Sequence, residues 1–253
     1  MLRTGAAAAH VERRAPTALP TPILENIMPL LGSAAMLLSF DIEADAVEEH
    51  DRWHTHEHLP ERLSIPGFRR GTRWTATRGG PRYMVLYEVE SQATLASPAY
   101  LERLNNPTPW TTRMMTHYRG MKRGLCDVLG SFGFGQGGTA ALIRFTPEAS
   151  RAAALHGWLL EEALGAAPHI PGLGSAHLLQ GAQAASMTNE QRIRGSDRNI
   201  DSAIVVTGYD GNAVEAYANE LCAAGALPNR GAGELQCSTY RSSYSLACAE
   251  FDA

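Results

Sequence analysis

Cysteine is scarce in this chain. Its 253 residues include four cysteines, and no two of them have the CxxC spacing. A disulfide framework or a zinc ribbon requires more cysteines, at more regular spacing, than these. We therefore expect reduced thiols in a cytoplasmic protein. The four positions are Cys126, Cys222, Cys237 and Cys248.

Long apolar runs and an excess of positive charge are also missing. No uninterrupted apolar run approaches the ~20 residues that a membrane-spanning helix requires. The 22 lysines and arginines are scattered among 26 aspartates and glutamates, and the formal net charge is −4. This balance predicts no basic face for nucleic acid or anionic lipid. The expected partner is a small-molecule substrate, with neither nucleic acid nor a membrane bound.

The first 27 residues differ from the rest of the chain. The whole sequence is 44% hydrophobic and long enough to bury a sizeable core. Residues 1–27, in contrast, are rich in Ala, Arg and Pro and offer little apolar surface to bury. We expect a disordered leader over residues 1–27, or a translation start at Met28.

Hydrophobic periodicity and turn residues divide the region after Met28 into six elements. A strand leads into an acidic helix, which Pro60 is expected to end. The turn Ile65-Pro66-Gly67-Phe68 then leads into the next strand, and a Trp-bearing loop precedes the last one. The predicted elements are a strand over 34–40, a helix over 45–58, strands over 69–77 and 82–89, a helix over 95–104 and a strand over 125–134.

The same order of elements then recurs. Ile170-Pro171-Gly172-Leu173 repeats the earlier turn 105 residues later. Strand, helix, strand, strand, helix, strand is the order of a split βαβ, or ferredoxin-like, unit. The predicted fold class is α+β, with two tandem ferredoxin-like repeats over residues 28–135 and 136–253. Their antiparallel sheets are expected to pack on each other as an α/β barrel.

Two segments interrupt this pattern. Gly133-x-Gly135-x-x-Gly138 has the spacing of a dinucleotide-binding fingerprint, but a predicted strand follows it, so no helix N-terminus is available for a pyrophosphate. We interpret it as a flexible joint between the repeats. Residues 181–200 are polar, show no strand or helix period and are too long for an ordinary hairpin loop. They are predicted to form a lid or a loose loop.

Histidines concentrate at the end of the first predicted helix. The run from His54 to His58 reads His-Thr-His-Glu-His and lies just before Pro60. His54 and His58 are one helical turn apart and share a face, whereas His56 points elsewhere. The run imitates a metallohydrolase motif, but an acidic helix precedes it and Pro60 follows it. We therefore expect no metal site.

The neighbours of His58 suit it to proton transfer. As a general acid or base it would be oriented by Glu57 or Glu61, while Arg62 would stabilise a negatively charged or enolate oxygen. His54 is a second candidate at the edge of the same pocket. The second half has no counterpart of His58 in the repeat alignment, so the site is expected in the first repeat. The alternative is that His58 bonds the free carbonyls of the helix end.

A second polar and aromatic cluster follows Asn106. Trp110, His117 and Tyr118 are predicted to wall an organic ligand, or else to cover the open end of the barrel. Haem is an alternative cofactor, since it requires an axial histidine. No local pattern selects among the candidates His117, His156, His169 and His177.

The first repeat contains a set of specific motifs. These are Trp53, Glu57-His58-Leu59-Pro60-Glu61-Arg62-Leu63, Ile65-Pro66-Gly67-Phe68, Tyr87-Glu88 and Asn106-Pro107-Thr108-Pro109-Trp110. Together they resemble one family, the EthD-like group of the dimeric α/β-barrel superfamily. The similarity covers roughly residues 28–128, and the second half matches in architecture alone. The resemblance implies a cofactor-free monooxygenase, isomerase or lyase of aromatic or polyketide-like substrates, with haem-binding chlorite dismutases and dye-decolorising peroxidases as more distant relatives.

These observations together predict a cofactor-independent enzyme that acts on a small oxygenated molecule by His-mediated proton transfer. Lyase, isomerase and monooxygenase reactions all begin with proton removal next to a carbonyl or phenol, so the reaction type stays open. A haem enzyme and a non-catalytic ligand-binding protein are the alternatives. The chain is expected to be a monomer, as an internal pseudo-dimer, or a homodimer. Trp53, Tyr87 and Trp110 would shape the pocket.

Overall fold

A single nine-stranded sheet dominates the structure. The computed structural model describes residues 29–182 and 187–248, so the predicted leader over residues 1–27 and the start at Met28 lie outside the described residues. The strands are β1 (Ala34–Ile42), β2 (Phe68–Arg78), β3 (Tyr83–Val89), β4 (Tyr118–Gly133), β5 (Thr139–Pro147), β6 (Leu173–Ala182), β7 (Arg198–Asn199), β8 (Ser202–Gly208) and β9 (Ala232–Ala247).

Short helices cover the outer side of this sheet. None of the described helices is long and apolar enough to cross a membrane. Two π-turns, at His54–His58 and Leu159–Ala163, lie inside longer helical segments. The α-helices are α1 (Val47–Trp53), α2 (Leu59–Leu63), α3 (Pro98–Asn105), α4 (Pro109–Met115), α5 (Ala152–Trp158), α6 (Leu164–Ala166), α7 (Asn189–Arg194) and α8 (Gly211–Cys222), and the 3-10 helices are Ala44–Ala46, Gln92–Ala96, Ala167–His169 and Pro228–Arg230.

Eight of the strands close into an antiparallel barrel. Their order is β1-β3-β2-β9-β5-β8-β6-β4, and β4 returns to pair with β1. The remaining strand, β7, has two residues and lies parallel to β4. The pairing pattern occurs twice, because β3 pairs with β1 and β2 just as β8 pairs with β5 and β6. The predicted α+β fold class with an antiparallel barrel is confirmed.

The two longest strands, β4 and β9, join the two halves. Each has 16 residues. β4 pairs first with β1 and then with β6, and β9 pairs first with β5 and then with β2. The glycine-rich segment that begins at Gly133 lies between β4 and β5, and a strand follows it, as predicted. The division of the chain at residue 135 stays a prediction.

Strand alternation produces three apolar cores. Because successive side chains point to opposite faces of a strand, Met36 of β1 faces the helices of the first half while Leu37 faces the barrel interior. In the second half Leu178 of β6 faces the helices and Leu179 the interior. The candidate site lies in the first of these layers, between the first-half strands and their helices.

The first helix does not end at Pro60, and that expectation was wrong. The helix passes from α1 through the π-turn into α2 and ends at Leu63. The Leu59 N–H donates to the His54 carbonyl, five residues back. Since Pro60 has no N–H to donate, the widened turn just before it accommodates the ring without breaking the helix. The second π-turn, with Leu164 N–H bonded to the Leu159 carbonyl, lies 105 residues later.

Two predicted loops contain helices instead. The Trp-bearing loop is largely α4, which begins where the Thr108 hydroxyl accepts a hydrogen bond from the Thr111 N–H at 3.0 Å, with Pro109 in the first turn. The strand β4 accordingly starts at Tyr118, seven residues before the predicted start. The segment 181–200 contains α7, begun by a Thr188 capping box. Its residues 183–186 lie outside the described residues.

Candidate active site

Three histidines line the inner face of the first helical segment. His50, His54 and His58 are 0%, 1% and 6% exposed. The ring centroids of His50 and His54 are 5.5 Å apart, and those of His54 and His58 are 5.6 Å apart. His56 is exposed, in line with its predicted direction. Sequence reasoning missed His50, although its position four residues before His54 was a usable signal.

Aromatic side chains pack around the three imidazoles. The Trp53 ring stacks on His58 with centroids 4.3 Å apart. From β3, the Tyr87 hydroxyl lies 3.5 Å from Nε2 of His54, and from β4, the Tyr118 hydroxyl lies 3.4 Å from Nε2 of His50. The predicted residues Trp53, Tyr87 and Tyr118 are therefore brought together with the histidines. Tyr83, which sequence reasoning also missed, stacks on His50 at 4.6 Å.

The imidazoles of His54 and His58 keep a free nitrogen. Nδ1 of each is buried and has no hydrogen-bond partner among the described residues. Buried polar atoms are nearly always hydrogen-bonded, so two such atoms in one layer require an explanation. Burial, and after it the Arg62 charge, lower the pKa of His58 well below its usual value. Burial, and after it the His50 charge, do the same for His54. Both rings are therefore neutral at pH 7.

Arg62 lies in the same layer and is fully charged. Its guanidinium is 1% exposed, donates from Nη1 to Glu61 at 3.2 Å and pairs through Nη2 with Glu190. Burial acts to lower the pKa of Arg62, but the charge of Glu190, with smaller contributions from Tyr100 and Glu61, outweighs it and the pKa is raised. The predicted neighbour of His58 is thus present, with one side of its fork held by Glu190.

The partner of Arg62 comes from the other half of the chain. Glu190 belongs to α7, is 2% exposed and lies 128 residues from Arg62 in sequence. Arg194 of the same helix donates to Asp197 at 2.9 and 2.7 Å and lies 3.8 Å from the Met115 sulfur. The long insertion of the second half therefore covers the layer of the first half. Sequence reasoning confined the site to the first repeat and missed both residues.

Glu57, one of the two carboxylates predicted to orient His58, has other hydrogen-bond partners. Its Oε1 accepts hydrogen bonds from Trp53 Nε1 at 3.1 Å, Thr108 Oγ1 at 2.5 Å and Thr111 Oγ1 at 3.3 Å. These bonds tie the π-turn to the start of α4. The Glu57 carboxylate therefore serves the helix packing.

Trp110 and His117 lie at the margin of this layer. Trp110 Nε1 donates to Glu49 at 3.0 Å, and the Arg52 guanidinium lies 5.9 Å from the Trp110 ring. His117 Nδ1 lies 2.6 Å from Glu43, and its side chain is 34% exposed. None of the described ring contacts or hydrogen bonds joins either residue to His54 or His58. Their assignment to the ligand pocket stays a prediction that these contacts do not support.

One group of potential metal ligands occurs among the described residues, away from the histidine layer. Glu43, Asp45 and His117 each offer an atom within 4.8 Å of the others. The Glu43 carboxylate already forms ion pairs with His117 and Arg119. The guanidinium of Arg119 also places a positive charge next to these three residues. The group therefore gives no basis for a metal-dependent mechanism.

The second half does not provide a fitting axial histidine for haem. His177 is buried, but it points into the barrel interior, where Nδ1 lies 2.8 Å from the Ser131 hydroxyl. His156 and His169 are partly or fully exposed. The layer between the second-half strands and their helices is instead aliphatic, with residues such as Leu155 and Leu159. The donor set in this half thus disagrees with a haem site.

Comparison with solved structures agrees with the fold. An anthrone oxidase-like protein has a TM-score of 0.61 at 12% identity, over 88% of this chain and 96% of that protein. A proposed monooxygenase from Fusobacterium nucleatum subsp. nucleatum has a TM-score of 0.55 at 8% identity, over 86% and 96%. Chlorite dismutase from Candidatus Nitrospira defluvii, in complex with imidazole, has a TM-score of 0.52 at 10% identity, over 86% and 92%.

These similarities agree with the α+β barrel and show the fold alone. No protein-family model matches the chain, and no curated protein matches its sequence. Because one fold hosts many reactions, identities this low carry no activity with them. The resemblance to the EthD-like group is narrower than what the solved structures show.

Proposed function

We propose that this protein is an enzyme that removes a proton from a small oxygenated aromatic molecule, with His58 as the base. The observation that carries the proposal is the pair of buried, unpartnered Nδ1 atoms of His54 and His58 in a layer walled by aromatic rings. A neutral imidazole with a free nitrogen is the form that a general base requires. Aromatic walls favour a flat, partly apolar substrate.

Charge develops on the substrate oxygen as the proton leaves. The Arg62 guanidinium is the nearby cation, and the Tyr87 hydroxyl is a nearby neutral donor. Burial raises the pKa of Tyr87, so the phenol keeps its proton at pH 7 and remains able to donate a hydrogen bond. Donors fixed in a buried layer stabilise a developing oxyanion more strongly than water does. For Arg62 to face the substrate, its contact with Glu190 on α7 has to loosen, which gives this helix the role of a cover.

We further propose that molecular oxygen is the second substrate. The fold likeness to an anthrone oxidase-like protein and to a proposed monooxygenase supports this choice. Loss of a proton from a CH2 group next to a carbonyl gives an electron-rich carbanion that O2 can oxidise. One oxygen atom then becomes the new carbonyl oxygen, and the other leaves as water. A lyase or an isomerase would share the first step and consume no oxygen.

The direct test follows oxygen consumption and product mass with a tricyclic phenolic ketone such as an anthrone. His58→Gln is expected to lower turnover about 10²–10⁴-fold. His56→Gln is the matched control, because His56 lies in the same π-turn but is exposed. Equal rates for the two variants would remove His58 from the mechanism. Conversion without oxygen uptake would indicate a lyase or an isomerase.

Independence of a cofactor is part of the same proposal. A Soret band in the spectrum of the purified protein would favour the haem enzyme instead. Binding of the ketone without conversion would favour a ligand-binding protein. We also propose that one chain suffices, since the barrel closes within it; a dimer mass in solution would favour the homodimer.

A further inference from the structure

One end of the barrel opens into a cavity of about 690 Å³ that is lined by cationic side chains. Asp41 is the carboxylate among the lining residues, and its Oδ1 accepts a hydrogen bond from the Arg82 backbone N–H at 2.7 Å. We call this cavity the barrel mouth. Its cations are Arg82, Lys122, Arg144, Arg194 and Arg198.

Strand geometry places these cations at the mouth. Ala140 and Leu142 of β5 face the barrel interior, and two residues further Arg144 takes the next inward position. On β4, Lys122 lies on the same face of the strand as Cys126, which points into the barrel interior. No local sequence pattern predicts this cluster, and the expectation of no basic face for nucleic acid or anionic lipid stays a prediction. The barrel gathers residues that are distant in the chain.

The charges of Arg144 and Lys122 are poorly compensated. Arg144 is 7% exposed, and it donates from Nη2 to Oε1 of Gln236 at 2.8 Å. Lys122 Nζ donates to the same oxygen at 2.7 Å. Among the described residues, no carboxylate forms an ion pair with Arg144, Lys122 or Arg198. Buried charges are normally paired, because desolvation of a lone ion is costly.

The pKa values agree with this shortage of negative charge. Burial lowers the pKa of Arg144. Burial, followed by the charges of Arg144 and Arg198, lowers the pKa of Lys122, while Glu234 raises it. Glu234 lies with Asp201 in an adjoining cavity of about 260 Å³. These two carboxylates lie beside the barrel mouth and do not line it. Asp41 is the acidic residue that lines the mouth itself.

We propose that the barrel mouth binds a small phosphorylated molecule, with Arg144 and Lys122 as its main anchors. Arg82, Lys122, Arg144 and Arg198 converge from different segments, and a tetrahedral dianion has acceptors in several directions. A carboxylate has two acceptor oxygens in one plane and suits a single arginine fork. The cavity volume leaves room for an organic group beside the phosphate. This ligand is distinct from the substrate of the histidine layer.

The test measures binding of inorganic phosphate, pyrophosphate and phenyl phosphate to the full chain by titration calorimetry. Citrate and chloride at equal ionic strength are the comparison anions. Pyrophosphate is expected to bind saturably, and Arg144→Gln to weaken it about tenfold or more, since a charge-assisted hydrogen bond is lost. Arg241→Gln is the matched control, because Arg241 lies on β9 at an exposed, outward position. His58→Gln is also expected to leave this affinity unchanged.

Several results would overturn the proposal. Equal heats for all anions at matched ionic strength would make the mouth a solvated basic surface. Tighter binding of citrate than of pyrophosphate would overturn the phosphate class. Equal affinities of Arg144→Gln and Arg241→Gln would overturn the site. If Arg144→Gln does not fold, Lys122→Gln decides with the same control. Unchanged pyrophosphate affinity in His58→Gln would show that binding at the mouth does not depend on the proposed catalytic base.

Discussion

The contact between Arg62 and Glu190 is the point where the second half covers the histidine layer. Both side chains are almost fully buried, at 1% and 2% exposure. Glu190→Ala leaves the buried guanidinium with Glu61 as its remaining carboxylate partner. Removing one member of a buried ion pair costs about 3–5 kcal/mol, and we expect the lower end because Glu61 remains. In a chain of this size, about 3 kcal/mol corresponds to a fall in Tm of roughly 6–12 °C.

The control for this prediction is an exposed ion pair. Arg69 and Glu90 are 44% and 62% exposed and 2.9 Å apart. Exposed pairs contribute about 0–1 kcal/mol, so Glu90→Ala should shift Tm by no more than about 2–4 °C. Replacing both buried partners, Arg62→Met with Glu190→Leu, should restore much of the lost stability, because the unpaired guanidinium is removed. Glu61 then keeps Arg103, 3.9 Å away.

The prediction is tested by thermal unfolding and urea titration of four proteins: the wild type, Glu190→Ala, Glu90→Ala and the double variant. The reasoning predicts a large loss for Glu190→Ala, a small loss for Glu90→Ala and a recovery in the double variant. If Glu190→Ala and Glu90→Ala lose the same small amount, α7 is not held by its charge and the layer is not covered in the way described. A double variant as unstable as Glu190→Ala would show that packing, and not the lone charge, causes the loss.

Two further predictions concern stability. Burial lowers the pKa of His177 to about 3, below the ~6.5 of an unfolded histidine. As the pH falls, the unfolded chain therefore binds a proton at this residue before the folded chain does. The contribution of His177 to stability is complete above about pH 6.5 and falls as the pH drops towards 3. This residue alone should lower the free energy of unfolding by ~2 kcal/mol at pH 5. In urea titrations, the free energy of unfolding of His177→Gln should depend less on pH than that of the wild type. An unchanged pH dependence would contradict the assignment. Glu57→Ala should cost about 1–3 kcal/mol, because three donors lose their acceptor; a Tm equal to that of wild type would show that water replaces the carboxylate.

Most strands were predictable because they rest on local patterns. Apolar runs of strand length mark β1, β3 and β5, and the Ile-Pro-Gly turn recurs at an offset of 105 residues. The π-turn was not predictable, since its wider hydrogen bonding has no residue signature, and Pro60 alone indicates a helix end. The helix α4 had a signal, Thr108 followed by Pro109, that matches a capped helix start and was read as a loop.

The site was only half visible in the sequence. His54, His58, Trp53 and Tyr87 lie together, because helical spacing and strand alternation act over a few residues. Glu190 and Arg194 reach the layer from another part of the chain, through tertiary structure alone. The hydrophobic periodicity of a local segment cannot predict such a contact. The barrel mouth is a stronger case, since its cations lie on different strands and loops and become neighbours when the sheet closes.

The sharing of β4 and β9 has a consequence for how the molecule can come apart. Each of these 16-residue strands pairs with strands of both halves of the chain. A fragment cut between residues 133 and 139 would carry the end of a long strand with its backbone N–H and C=O groups unpaired, which is a template for association with another chain. Neither half is thus a free-standing module. The loss of one half removes a ladder from the other, so we expect the molecule to unfold as one unit.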